Sequence, residues 1–193
     1  MSLRRPADGM RAESGLTMVE LLLYMSLALV VLMVAGAMLI NSITAGTQVD
    51  KTTAASNTGQ LIMRSVQSGV RNATQVGLTA AGGGQLLTVT TSGGVTPVVW
   101  SCEAWYFTPT SGGSLYMLRT PATAPIPAPT SATLGSWTLL GTGISVTGTP
   151  VFTASAGLVT VNLNINTGNP TPLALSSPAS TLNLVTVGTT CFP

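Results

Sequence analysis

The chain contains no histidine, and of its 193 residues only seven are Lys or Arg and five are Asp or Glu. Without histidine there is no Ser-His-Asp triad, no Cys-His pair and no His-ligated metal. Beyond residue 71 the only formally charged side chains are Glu103 and Arg119. A paired-carboxylate mechanism would have to draw on Asp50 or Glu20, both in or beside an N-terminal helical segment. Acid–base chemistry needs titratable groups placed together, so the expectation is a protein that is not an enzyme and uses no cofactor or metal. Charged residues make up 6% of the chain, against about a quarter in ordinary soluble domains. A net charge of +2 with 45% hydrophobic residues also excludes a disordered charged tail. Duplex binding by phosphate neutralisation would need clustered cations that are missing here.

What charge there is sits at the front. Arg4, Arg5, Asp8, Arg11 and Glu13 are five of the twelve charged residues. They precede LTMVELLLYMSLALVVLMVAGAMLI, in which Leu21 to Ile40 form a run of twenty residues without a charge. At about 1.5 Å per helical residue such a run spans about 30 Å, the thickness of a bilayer core. The basic head belongs on the cytoplasmic side and everything after Asn41 outside. An ordinary cleaved secretory signal is the bland reading, but its apolar core is usually about 7–15 residues. The nearest small-residue cleavage site, Ala35-Gly36-Ala37, is embedded in further apolar residues. Glu20, at the mouth of the run, is costly there unless paired.

Ser14-Gly15-Leu16-Thr17-Met18-Val19-Glu20-Leu21-Leu22 resembles the processing site of type IV prepilins and pseudopilins. The resemblance implies cleavage by a dedicated membrane peptidase between Gly15 and Leu16, followed by N-methylation of Leu16. Glu20 then becomes the fifth residue of the mature chain and matches the assembly glutamate of that family. Leu16 replaces the commoner Phe or Met, and the span lacks the helix-breaking proline of many major pilins. That favours a minor pilin or pseudopilin.

The resemblance further implies an α+β, pilin-like fold: a long N-terminal, partly transmembrane helix packed on a C-terminal antiparallel β-sheet domain. Residues 1–15 are the leader, 16–76 the helix (with about 16–40 in the membrane or filament core), and 77–193 the β-rich domain outside the cytoplasm. Ile62, Val66, Val70 and Ala73 recur at helical spacing as its core face, with Arg64 and Arg71 turned elsewhere. Gly46, Gly59 and Gly69 each cost about 1 kcal/mol in a helix, so a fray or break is expected at one of them.

After Gly82-Gly83-Gly84 the chain turns to Thr, Ser, Gly and Val with frequent turn signals. Strands are expected at 85–91, 97–107, 114–120, 138–140, 144–147, 151–153, 158–165 and 182–187. Residues 121–130 hold four prolines and read as an extended connector. Cys102 and Cys191, the only cysteines, both fall outside the membrane, where disulfides persist. A bridge between them is expected, with free buried thiols as the alternative. Alternation puts Trp100, Cys102, Ala104 and Tyr106 on one face of a strand, and Trp105 and Phe107 on the other. The first face reads as core, and Trp105 and Phe107 as a subunit or ligand contact. Asn72-Ala73-Thr74 matches a glycosylation sequon too short to carry weight.

By resemblance the partners are other pilins or pseudopilins, the prepilin peptidase, the assembly platform and the membrane. Location follows: a single-pass protein of the cytoplasmic membrane, then a cell-surface or periplasmic filament. The leading expectation is a structural subunit, minor rather than major, of a type IV pilus or related pseudopilus. The alternatives are a pilus-tip adhesin, a DNA-uptake receptor or a type II secretion pseudopilin, so nucleic acid stays open as a partner.

Overall fold

The computed structural model describes residues 17–92, 98–121, 124–146, 148–168, 171–182 and 191. The leader, the Gly15–Leu16 junction and all but Leu182 of the last expected strand lie outside these residues. The chain divides into two compact units, Met1–Gly46 and Thr47–Pro193. One helix, α1 (Met18–Arg71), supplies the described part of the first unit and opens the second.

In the first unit the apolar side chains of α1 are not buried by any other described residues. Leu22, Leu27, Val30, Met33 and Ile40 are each more than half exposed. This helix is long and apolar enough to cross a membrane. Ser26 within the run and Thr44 just beyond it turn back onto the helix backbone: Ser26 Oγ donates to Leu23 O at 2.8 Å and Thr44 Oγ1 to Ile40 O at 2.9 Å. Such local bonds let a hydroxyl sit in an apolar medium without an unmet donor.

In the second unit Ala55, Gly59, Ile62, Val66, Gly69 and Val70 form a buried stripe along α1, while Arg64 and Arg71 are exposed. The expected break at Gly46, Gly59 or Gly69 does not occur. At two of these positions glycine is what lets the sheets approach. A Cβ added at Gly69 would overlap the Trp105 indole and lie 2.8 Å from Glu103 Oε2, and one at Gly59 would overlap Leu175. Close packing there offsets the weak helix propensity.

The helix ends earlier than the sequence suggested. Asn72 Nδ2 donates to Ser68 O at 3.0 Å, and the chain then enters a strand in place of the helix expected to residue 76. That strand, β1 (Ala73–Ala81), turns through Gly82 and Gly83, both at positive φ, into β2 (Gly84–Ser92). β3 (Trp100–Thr108), β4 (Ser114–Pro121) and β5 (Thr138–Thr142) follow, giving a five-stranded antiparallel sheet in the order β1-β2-β3-β4-β5.

A second antiparallel sheet is built around β8 (Leu158–Ile165). β9 (Leu173–Ser180) pairs along its whole length, while β6 (Ile144–Ser145) and β7 (Phe152–Ser155) pair with its two halves. β8 alternates as its sequence LVTVNLNI says: Val159, Val161, Leu163 and Ile165 are buried, the intervening residues are not. β9 escaped the sequence reading because Pro178 looks like a breaker. Pro178 pairs with Thr160. In β8 the N–H of Asn162 points away from β9, to Val151 O at 2.8 Å, and alternation turns Thr160 the same way. Pro178 therefore occupies a position where β9 owes β8 no hydrogen bond.

The two sheets and the second half of α1 share one apolar core. The Gln85 carboxamide ties the sheets together at β7. It donates to Phe152 O at 3.1 Å and accepts from Phe152 N–H at 3.0 Å, meeting both groups on the edge that β8 leaves open.

The glycines of α1 give a contrast to test. A Cβ at Gly46 meets nothing within 4 Å, so Gly46→Ala should stabilise the helix by about 0.5–1 kcal/mol. Gly69→Ala should instead destabilise the protein by about 1–3 kcal/mol, the usual cost of overpacking. Denaturation of the full chain followed by circular dichroism measures both.

Candidate functional site

The described chain begins at Thr17, which caps α1. Glu20 N–H donates to Thr17 O at 2.9 Å and to Thr17 Oγ1 at 3.3 Å, satisfying a donor that the first turn leaves free. Glu20 is thus the third helical residue, and Thr17-x-x-Glu20 has the spacing of a capping box. Its carboxylate is used differently. Tyr24, one turn along, donates its hydroxyl to Glu20 Oε1 at 3.1 Å. The sequence signal for this pair is its i, i+4 spacing, which the lone charge of Glu20 overshadows.

The aromatic strand is placed otherwise than expected. Trp105 is wholly buried and Phe107 is 3% exposed, both facing α1 and the shared core. Neither can offer a surface to a ligand or another subunit. The alternation holds, but both faces of β3 are covered, so Trp105 and Phe107 form core rather than the expected subunit or ligand contact. Trp105 Nε1 donates to Ser65 Oγ at 3.0 Å, which satisfies the indole inside the core.

On the opposite face of β3, Cys102 forms a disulfide with Cys191, the two Cα atoms 5.3 Å apart. Cys102, Ala104 and Tyr106 pack there with Ile126 and Trp137 from the connection between β4 and β5. The proline-rich segment is therefore a lid over this face, inserting Ile126, as well as a connector. Tyr106 meets Trp137 edge to face at 6.2 Å between ring centroids.

Beside that lid lies a cleft of about 410 Å³. Tyr106 and Tyr116, directly paired across β3 and β4, contribute to its lining with Thr108 and Ser114, the next outward pair. Thr130, Ser131 and Leu134 lie along the other wall, and Gly82 and Ser111 also border it. No lining residue is charged. Rings and hydroxyls without charge suit an uncharged polar ligand such as a saccharide, whereas phosphate would find no cation.

Glu103 and Arg119 meet as register partners on β3 and β4, with Nε and Oε1 3.3 Å apart. Arg119 Nη2 also donates to Ser101 Oγ at 3.3 Å. Burial pushes the Glu103 carboxyl above its ordinary value of 4.5, and the Arg119 charge opposes that rise. An acid whose folded pKa is raised adds stability that is full below the unfolded pKa and lost as pH rises through the folded one. Chemical denaturation across a pH series should show wild type losing stability above about pH 4.5, with part of that slope absent in Glu103→Gln. Arg119→Met removes the opposing charge and should extend the loss to higher pH.

Among the described residues no three His, Cys, Asp or Glu side chains gather as a metal site. Comparison of the chain with models of known families, with curated proteins and with solved structures finds no match in any of the three.

Proposed function

We propose that the chain is the precursor of a filament subunit of the type IV pilin and pseudopilin class, minor rather than major. One observation carries the proposal: a single helix has one half committed to a β core and the other half predominantly apolar and unburied among the described residues. Such a helix needs lipid first and neighbouring helices afterwards, which is how a membrane-held subunit passes into a filament. The motif around Gly15, Leu16 and Glu20 supplies the processing step. Cleavage after Gly15 would free the amine of Leu16 for methylation and leave the apolar segment on the mature protein. Glu20 would then answer an amine, its own or that of an adjacent subunit, and fix the axial register. The β unit would lie outside the cytoplasm, where its disulfide persists. In this reading the chain does its work by packing, and the chemistry belongs to the peptidase and the assembly platform.

The test is the mature terminus. Intact mass of the protein recovered from its own host should begin at Leu16 with one added methyl group, and a bulky residue in place of Gly15 should block the cut. A terminus beyond the apolar run, near Ala37, would mean an ordinary signal peptide and end this proposal.

The cleft favours a second reading, a tip subunit that binds a ligand. Its uncharged lining turns that reading toward a neutral saccharide and away from DNA, since single-stranded binders combine stacking with a cationic groove. On an array of neutral and sialylated glycans the full chain should then retain neutral ones, and Tyr116→Ala should abolish the signal. Absence of retention by the unaltered chain would leave the purely structural role.

A further inference from the structure

Between Leu21 and Ile40 only Tyr24 and Ser26 carry polar side chains. Ser26 is spent on the helix backbone, at Leu23 O. Tyr24 is not: its hydroxyl goes to Glu20 Oε1. From this geometry, and resting on the filament reading above, we infer that Tyr24 is a positioning residue that holds the Glu20 carboxylate ready for the amine of a neighbouring subunit.

Three features of Glu20 and Tyr24 converge on this role. The first is that Glu20 had another use available. In a capping box its carboxylate would reach back to the amide of Thr17. Among the described residues it makes no such bond, and its one side-chain partner is Tyr24. The Thr17 cap fixes the backbone of the first turn, while Tyr24 fixes the carboxylate.

The second is chemical. A carboxylate entering apolar surroundings has lost its water, and hydrogen bonds to the charged form are what compensate. A phenol suits that position because its ring is at home in an apolar run while its hydroxyl donates to the charge. Serine one turn away would be too short and would return to the backbone, as Ser26 does.

The third is stoichiometric. The Tyr24 bond occupies Oε1, and Oε2 has no partner among the described residues. One oxygen is held and the other is left for an ammonium donor. Holding the carboxylate in one rotamer removes ordering that the incoming subunit would otherwise have to impose.

The experiment compares Tyr24→Phe, Glu20→Gln and the double variant in the full chain, expressed in its own host. Tyr24→Phe deletes only the hydroxyl. It should leave cleavage after Gly15 and membrane insertion unchanged while lowering recovery in sheared filaments about tenfold, the scale of one hydrogen bond to a charge. If Tyr24 acts through Glu20, the double variant should be no worse than Glu20→Gln alone. A tyrosine needed only for packing would make the losses add.

A second readout does not depend on filaments. The glutamates are Glu13, Glu20 and Glu103, so ¹³C-glutamate labelling of the chain in lipid nanodiscs gives few side-chain carboxyl resonances. Each is assigned from its own Gln variant. The Glu20 resonance should move in Tyr24→Phe and the Glu103 resonance should not. An unmoved Glu20 resonance, undiminished incorporation of Tyr24→Phe, or additive losses in the double variant would each overturn the inference. If the unaltered chain enters no filament, the filament reading fails and with it the amine as the target. The carboxyl resonance then decides by itself whether Tyr24 holds Glu20.

Discussion

The second unit depends on how closely the Trp105 indole lies against the backbone of α1 at Gly69. β3 is the middle strand of its sheet, and Trp105 is wholly buried at its centre. Leu87 and Met117 flank it in register on β2 and β4. Ser65, one helical turn before Gly69, accepts the indole N–H and passes its own hydroxyl proton toward Met117 Sδ at 3.4 Å. The largest side chain of the core is thus satisfied by the same helix that covers it. Any side chain at 69 would lift the helix from the row, and Ile62, Val66 and Val70 would lose their seat with it.

Having spent one face of β3 on the helix, the fold must cover the other by different means. It does so with the chain between β4 and β5 and with the C-terminal cysteine. Proline suits such a lid because its extended backbone has fewer donors to satisfy and less freedom to lose. The disulfide joins positions separated by 89 residues, and loop-closure entropy gives such a bond about 4–5 kcal/mol as an upper figure. The chain has few charges to add to that. Its one ion pair in the described β unit, Glu103 with Arg119, has its arginine largely in solvent, and such pairs contribute about 0–1 kcal/mol.

How much of this the sequence disclosed follows from where each residue's reason lies. The apolar run, the stripe at Ile62, Val66 and Val70, and the alternation of β8 are local patterns, and they read directly. β1 was absorbed into the helix because Ala73 continues the helical spacing, although Asn72 ends the helix with its own side chain. β9 was missed because Pro178 argues against a strand unless one knows which way its neighbour's amides point. The alternation of β3 is plain, yet neither face meets solvent: the Trp105 and Phe107 face is covered by α1 and the shared core, and the other by Ile126 and Trp137, far along the chain. Glu20 stood out as a lone charge. Its partner Tyr24 did not, because a tyrosine in an apolar run reads as one more hydrophobic residue. The cleft that Tyr106 and Tyr116 line had no sequence signal, since cross-strand pairing brought them together.

In the first unit the polar groups of the apolar run are nearly all accounted for within the helix. Ser26 and Thr44 return to backbone carbonyls, Thr17 takes the Glu20 amide, and Tyr24 gives its hydroxyl to Glu20. A helix with its donors so satisfied can enter lipid and can leave it for a bundle of like helices with little difference in polar energy. Dispersion and small-residue packing act between any two such apolar surfaces and say little about register. A carboxylate with one oxygen held and one open is different, because its needs are met only where a cation arrives at the right height. Under the filament reading, the apolar run would supply the adhesion and this single charge the alignment. The scarcity of charge elsewhere in the chain is then of a piece with the mechanism: a second ionic group along the run would offer a competing register.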